Sequence, residues 1–184
     1  MIQPIYLYGS EVLREVAKEA DLSQKEELTK LITDLKDTLV KSEGCGLAAP
    51  QIGVSQRVVI VDGDVMADVY DYLKGFFRVL INPVIVEESA KKCEYNEGCL
   101  SVPGIYADVV RPESMTVRYI NENFEEVTET FDKFACRMVQ HELSHLDGVL
   151  FTDLVPPIRK KIISKKLLNI TKGKIATHYK SKIK

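Results

Sequence analysis

The residue types best suited to chemistry gather in one nine-residue stretch, 140–148, which reads QHELSHLDG. His141 and His145 are four residues apart, so a helix places both imidazoles on one face, one turn apart. Glu142 follows the first histidine and would lie beside any ion that the two imidazoles share. This His-Glu-x-x-His pattern predicts a metal site.

The residues before this motif predict that its histidines face the protein interior. Four apolar residues precede it at helical spacing: Phe134, Ala135, Met138 and Val139. Their stripe continues into His141 and His145, whereas a solvated helix end would not have an apolar approach. We expect a central helix of about four turns that begins after Asp132 and ends at Gly148 in the left-handed conformation.

Two histidines leave a tetrahedral metal site incomplete, and the sequence offers several third ligands. A metzincin would carry a histidine six residues after His145, where this chain has Phe151. A thermolysin-like enzyme would use a downstream glutamate, but the acidic residues after His145 are Asp147 and Asp153. The spacing therefore leaves open His178, an unusual aspartate, or a thiolate, which suits two imidazoles. The cysteines are Cys45, Cys93, Cys99 and Cys136.

A strip of small residues, 44–53, holds three glycines and two alanines. Such a strip indicates close approach of the backbone, either to another element or to a ligand. It lacks the Lys-Ser/Thr pair of a phosphate-binding loop, which argues against nucleotide binding. Gln51 is its one side chain that can offer a directed hydrogen bond.

Length and composition predict one globular catalytic domain that spans residues 1–184. Of the 184 residues, 45% are hydrophobic and 28% charged, which is ordinary for such a domain. The N-terminus lacks the pattern of a signal peptide, and no stretch is long and apolar enough for a membrane span. We therefore expect a cytoplasmic protein, with its four irregularly spaced cysteines reduced or bound to metal.

Charge is distributed unevenly along the chain. Residues 159–184 hold ten lysines or arginines and no acidic residue, although the formal net charge of the chain is −2. Pro156 and Pro157 mark the junction, after which apolar residues at helical spacing predict a helix docked on the body: Ile158, Ile162, Ile163, Leu167 and Leu168. We expect the last dozen residues to lack regular structure. The basic tail alone would also suit a non-catalytic protein that binds nucleic acid or the ribosome.

The remaining pattern predicts an α+β fold. A helix is expected from about Gln24 to Lys41, opened by a capping box that joins Ser23 and Glu26. Strands are expected at 57–62, at 78–86 with an interruption at Asn82, at 105–110, at 115–120 and at 126–130.

Three segments taken together resemble the signature motifs of bacterial peptide deformylases. They read GCGLAAPQ over 44–51, EGCLS over 97–101 and QHELSHLDG over 140–148. The resemblance covers almost the whole chain in length and motif spacing. Ser144 is a departure, since the family usually carries an aspartate there.

The resemblance implies a fold, a reaction and a set of site residues. The fold would be antiparallel sheets around the helix that bears the HExxH motif, with a C-terminal helix. The metal ligands would be Cys99, His141 and His145, with a water in the fourth position. Glu142 would transfer protons, and the Gln51 side chain and the Leu100 N–H would hold the oxyanion. The enzyme would hydrolyse the N-formyl group of formylmethionine on nascent polypeptides and release formate.

The resemblance also implies how a peptide would bind. Gly44 and Gly46 would let the peptide backbone pair beside their strip, as in strand addition. An apolar pocket would take the methionine side chain, and its candidate residues are Cys45, Tyr95, Phe134 and Met138. Glu97 and Arg111 are expected to form a buried pair that orients a ligand histidine.

The cofactor and partners implied by the resemblance complete the expectation. The cofactor would be one divalent metal ion, with Fe²⁺ the native one and Zn²⁺, Ni²⁺ or Co²⁺ accepted. The protein would be a monomer, and its basic C-terminal segment would contact the ribosome.

Overall fold

A computed structural model describes residues 1–183; Lys184, the last residue of the predicted basic tail, lies outside the described residues. Residues 1–183 form three α-helices: α1 Lys25–Ser42, α2 Lys133–Leu146 and α3 Pro157–Thr171. The strands are β1 Ile5–Tyr6, β2 Gly46–Ala48, β3 Val58–Asp62, β4 Phe77–Glu88, β5 Lys92–Cys99, β6 Val102–Pro112, β7 Ser114–Ile120, β8 Glu126–Asp132 and β9 Ser181–Lys182. None of the helices formed by residues 1–183 is long and apolar enough to cross a membrane.

The strands build a five-stranded antiparallel sheet, a hairpin and a small parallel pair. The large sheet has the order β2-β3-β4-β7-β8, which leaves β2 at one edge. β5 and β6 form the hairpin, and β1 pairs in parallel with β9. The predicted α+β class with antiparallel sheets is therefore confirmed.

Helix α2 is the buried element around which the sheets pack. It lies against β2, β3 and β8. Val139 and Leu146 are fully buried in one core cluster with Val59 and Val61 of β3. As the sequence predicts, α2 follows Asp132, and Gly148 just beyond its end has a φ of 69°. The apolar approach to the motif thus fixes the face on which the histidines lie.

The interruption predicted in the second long strand is a kink rather than a break. Asn82 has a φ of 50°, and the pairing of β4 with β7 shifts register between Ile81 and Val84. The Asn82 side chain accepts a hydrogen bond from the Ala20 N–H (2.8 Å) and donates one to the Ala20 carbonyl (2.9 Å). The side-chain bonds to a distant segment let β4 continue through a residue with positive φ.

Two local expectations are wrong, and the docked helix predicted after Pro157 is confirmed with only some of its predicted buried residues. The capping box does not form, because α1 begins at Lys25 and the Ser23 hydroxyl donates to Asp21 instead (2.7 Å). Helix α3 docks through Ile163, Leu167 and Ile170, so Ile158, Ile162 and Leu168 are exposed. The last dozen residues are not loose throughout, since β9 pairs with β1. Strand β5 was not predicted, because its alternating polar residues resemble a surface loop.

Candidate metal centre

Three side chains from two elements meet at one point. Cys99 ends β5, and His141 and His145 lie on α2. One ligand atom from each lies within 4.8 Å of the other two, and Cys99 Sγ is 3.3 Å from His145 Nε2. A zinc-like ion with bonds of about 2.0–2.3 Å to nitrogen and sulfur fits between atoms at such separations. The donor set therefore fits one divalent cation.

The pKa values of the two histidines are shifted in opposite directions. Burial, and then the neighbouring His141, hold the pKa of His145 well below its usual value, so His145 is neutral, as a ligand must be. Burial would also lower the pKa of His141, but Cys99 and Glu97 outweigh it and raise that pKa to about 10. Because Nδ1 faces Glu97, a cation held by the cluster would replace the proton that His141 otherwise keeps on Nε2.

Glu97 holds His141 in position from behind. Its Oε2 is 2.8 Å from His141 Nδ1, which leaves His141 Nε2 for the metal. Arg111 donates to both carboxylate oxygens, at 2.8 and 3.0 Å, so the predicted Glu97–Arg111 pair is present. Burial alone would raise the pKa of Glu97, but His141 and Arg111 hold it well below its usual range.

Arg137 is a member of this network that the sequence reasoning missed. It is 3% exposed, and its Nη1 donates to Glu97 Oε1 at 2.7 Å and to the Val109 carbonyl at 2.8 Å. The sequence feature that could have identified Arg137 is its position four residues before His141, on the inward face of α2. A buried guanidinium on that face requires a carboxylate partner.

Ser144 joins the same network at its outer side. Its hydroxyl accepts a hydrogen bond from Arg111 Nη1 (2.8 Å) and donates one to the Gln140 carbonyl (2.8 Å). Where the family usually carries an aspartate, this chain thus has a neutral acceptor. Glu97 is then the carboxylate bonded to both Arg111 and Arg137.

Glu142 is buried beside the three ligands with one oxygen unsatisfied. It is 4% exposed, and its Oε2 has no hydrogen-bond partner among residues 1–183. Burial raises its pKa to about 7, which suits a group that both accepts and donates a proton near neutrality. An orphaned buried carboxylate oxygen points to a missing water or ligand.

Gln51 approaches the centre from the small-residue strip. Its Oε1 accepts from the Ala48 N–H (2.8 Å), which orients the amide so that Nε2 points at Ser101 Oγ (3.1 Å) and Cys99 Sγ (3.6 Å). Leu100 lies in the turn between β5 and β6 that directly follows Cys99. Ser101 was not predicted, because one serine in a turn carries no distinctive signal.

A cavity of about 520 Å³ opens onto this cluster. Of the predicted binding residues, Gly44, Cys45, Gly46, Phe134 and Met138 line it, as do Gln51, Leu100, His141 and Glu142. Tyr95 is not among the lining residues that the structure describes; it packs edge-on behind the Phe134 ring, with centroids 5.5 Å apart. Tyr95 therefore supports the wall instead of forming it.

Three other candidate third ligands do not belong to the ligand cluster that the described residues form. Burial raises the pKa of Cys45 to about 12, so this thiol stays protonated and is a poor ligand. Cys136 is buried on α2, with its Sγ 4.0 Å from the Pro112 carbonyl. His178 lines the outer part of the cavity, where its Nε2 is 3.3 Å from the Ser42 carbonyl.

Comparisons with known proteins agree with this geometry. Residues 2–161 match the family model described as polypeptide deformylase. Peptide deformylase of Fusobacterium nucleatum is 43% identical over 94% of each chain, and that of Pseudothermotoga lettingae is 44% identical over 97% of this chain and 98% of its own. A crystal structure of a peptide deformylase from Legionella pneumophila superimposes with a TM-score of 0.82 at 36% identity, covering 95% of this chain and 98% of that one.

Proposed function

The chain belongs to the peptide deformylase family, metal-dependent enzymes that remove the N-formyl group from nascent peptides, and we propose which of its residues perform each step. The observation that carries the proposal is the unpartnered Glu142 carboxylate oxygen, buried beside the Cys99–His141–His145 cluster in one cavity. An ionisable group and three possible metal ligands meet there, and a divalent ion held by them would supply the chemistry that amide hydrolysis requires.

Cys99, His141 and His145 are proposed to hold the catalytic cation. When bound there, a divalent ion lowers the pKa of a water molecule and polarises the formyl carbonyl. Glu97 keeps His141 in the tautomer that presents Nε2, and Arg111 and Arg137 keep Glu97 ionised. We propose Fe²⁺ as the native ion, with Zn²⁺, Ni²⁺ or Co²⁺ bound by the same ligands; one thiolate and two imidazoles suit all four.

Glu142 is proposed to carry the proton between the two halves of the reaction. Its free Oε2 takes a proton from the attacking water and returns it to the departing amine nitrogen. A pKa raised to about 7 by burial makes both transfers feasible near neutral pH. The closed surroundings of the side chain keep bulk water from competing for that proton.

Gln51 and Leu100 are proposed to stabilise the charge that develops on the formyl oxygen. The Gln51 amide is oriented by its bond to the Ala48 N–H, so its Nε2 lies beside the cluster and can exchange its bond to Cys99 Sγ for one to the substrate oxygen. The Leu100 N–H follows the ligand Cys99 directly and would donate from the other side. Both donors are held by the fold before substrate arrives.

The substrate is proposed to lie along the small-residue strip with its methionine in the cavity. β2 is an edge strand and its Gly46 lines the cavity, as does Gly44 just before it, so an extended peptide can pair with the backbone of this strip. Cys45, Phe134 and Met138 offer the apolar wall for the methionine side chain. A built Cβ on Gly46 would come within 2.8 Å of Glu142 Cδ, so a peptide paired with this strip would lie directly beside the Glu142 carboxylate.

The cellular setting follows from the substrate. We propose a cytoplasmic, monomeric enzyme that forms a single catalytic domain and meets nascent chains at the ribosome. The exposed lysines of α3 and the following segment would contact ribosomal phosphates. The support for this contact is the concentration of ten basic residues, without an acidic one, in residues 159–184.

The deciding experiment measures formate release from formyl-Met-Ala-Ser by protein purified without oxygen and loaded with Fe²⁺ or Ni²⁺. We expect Glu142→Ala to lose activity by about 10²- to 10⁴-fold with its metal retained, and Cys99→Ala to lose the metal as well. Glu126→Ala, on exposed β8, and Cys136→Ala, at a buried α2 residue that does not line the cavity, are the matched controls and should keep their metal and most activity. A folded, metal-loaded wild type that releases no formate contradicts the proposal.

A further inference from the structure

The segment that follows α3 returns to the mouth of the cavity. Its path is fixed at the far end, where the Ile5 N–H donates to the Lys180 carbonyl and the Leu7 N–H to the Lys182 carbonyl, both at 2.9 Å. The family match ends at residue 161, so this segment lies outside the part of the chain that defines the family. Even so, Ala176, Thr177, His178 and Tyr179 line the same cavity as Glu142.

Tyr179 ties this segment to the turn after Cys99. Its hydroxyl donates to the Leu100 carbonyl at 2.5 Å, and the residue is 9% exposed within the main core cluster. Burial raises the pKa of Tyr179, so the hydroxyl remains a donor throughout the physiological range. The Leu100 turn is thus held from outside by a residue 79 positions away in the chain.

Thr177 and His178 form the outer edge of the cavity. Thr177 Oγ1 donates to the Tyr179 carbonyl (2.7 Å) and lies 2.8 Å from Ser181 Oγ, which keeps the segment in a compact turn. His178 Nε2 is 3.7 Å from the Glu43 carboxylate, and the His178 side chain is 62% exposed. The segment therefore spans the distance from the Leu100 turn to the end of α1.

The small-residue strip connects these two ends of the cavity. Gly46 lies against Glu142, and Glu43, three residues earlier, lies beside His178. At about 3.3 Å per residue, an extended chain covers this separation in about three residues. A peptide that follows the strip from Glu142 thus meets His178 near its third residue.

We propose that residues 176–179 form a wall of the active site that contributes to catalysis and to peptide binding. Tyr179 is a positioning residue, which holds the Leu100 turn in the geometry needed to receive the developing oxygen charge. Thr177 and His178 contact the substrate peptide beyond its second residue. This inference rests on the proposed deformylase function and deepens it.

The first test removes one hydroxyl and separates kcat from KM. We expect Tyr179→Phe to lower kcat by about two- to tenfold, the value of one hydrogen bond, with KM unchanged for formyl-Met-Ala and for formyl-Met-Ala-Ser-Ala alike. Tyr119→Phe is the matched control, because it also removes a hydroxyl bonded in the interior (2.7 Å to Glu129) but far from the cavity. A general loss of stability would affect both variants; a positioning role affects kcat in Tyr179→Phe alone.

The second test varies the length of the peptide. We expect His178→Ala to raise KM about threefold for formyl-Met-Ala-Ser-Ala. The kinetics of formyl-Met-Ala should be unchanged, since the shorter peptide does not reach His178. Lys180→Ala, an exposed neighbour on the same segment that does not line the cavity, should behave as wild type with both peptides.

The two levels of inference fail in different ways. An inactive wild type overturns the proposed function itself. If the wild type is active, the proposed role of residues 176–179 is overturned by either of two results. One is a kcat of Tyr179→Phe equal to that of wild type or of Tyr119→Phe, and the other is an equal effect of His178→Ala on the short and long peptides. Metal content and melting temperature are measured for every variant, so a change in kcat is assigned only to folded, loaded enzyme.

Discussion

The single carboxylate of Glu97 holds three side chains of the site in place. Its two oxygens serve Arg111, Arg137 and His141 in a buried place where its own ionisation costs solvation energy. The charge is kept because the guanidinium groups and the histidine outweigh that cost. With Ser144 neutral, the ionisation of Glu97 determines how His141 is presented to the metal.

We expect Glu97→Gln to weaken metal binding by about 10- to 100-fold, because His141 loses the carboxylate that orients it. Two buried arginines also lose their counter-charge, so the free energy of unfolding should fall by about 3–5 kcal/mol. Competition with a chelator measures the first effect and urea denaturation of the metal-free protein the second. Glu129→Gln, which breaks an Arg78 pair on the sheet, should leave metal affinity unchanged. Wild-type metal affinity in Glu97→Gln would show that His141 needs no orienting partner.

At the scale of elements, the site depends on the close approach of β2 to α2. Gly46 lies at the start of the edge strand β2, and its missing side chain leaves the space that the Glu142 carboxyl group fills. A Cβ at this position would come within 2.8 Å of both Cγ and Cδ of Glu142, which is shorter than real contacts allow. The glycine is therefore required by packing at the reaction centre.

We expect Gly46→Ala to lower kcat by about 10²-fold while the metal stays bound, because a displacement near 1 Å of a catalytic group costs about that much. Gly44→Ala is the matched control on the same strip: its Cβ would meet the movable ends of Leu100 and Leu39, so the loss should be smaller. Formate release and metal content measured together decide the question. Equal losses in the two variants would mean that the contact with Glu142 is unimportant.

At the scale of the whole molecule, positive charge is concentrated in residues 159–184, which include most of helix α3. Helix α3 buries Ile163, Leu167 and Ile170 against the body, which turns its lysines to solvent. The same helix leads into the segment that borders the cavity. A ribosome-binding surface on α3 would therefore hold the entrance of the cavity near the ribosome.

We expect the double variant Lys161→Glu with Lys165→Glu to bind ribosomes more weakly. The slope of the logarithm of the binding constant against the logarithm of the salt concentration should decrease in magnitude by about one for each phosphate that the protein no longer neutralises. Both lysines are exposed, so the fold and the hydrolysis of free formyl-Met-Ala-Ser should be unchanged. Co-sedimentation with ribosomes at several KCl concentrations makes the measurement. Lys30→Glu with Lys41→Glu on α1 is the charge-matched control, and an equal effect there would leave α3 with no special role.

The sequence by itself determined the helix that bears the motif, the positions of the strands after residue 104 and the chemical type of the site. These features depend on neighbours within a few residues: histidines at i and i+4, an apolar stripe and alternating strands. The motif resemblance added Cys99 and Gln51, which the structure brings to the same cavity as Glu142. Spacing alone had left four cysteines and His178 open.

Only the tertiary structure decided which distant residues complete the site. Arg137 and Ser101 meet Glu97 and Gln51 across elements, and residues 176–179 reach the cavity by pairing β9 with β1. Tertiary structure also explains the errors at Ser23 and on α3. There, contacts that the sequence did not reveal replaced the capping bond and the buried residues that local patterns predicted. Local patterns fix what a segment can become, but burial and hydrogen bonding between segments far apart in the chain select its partners.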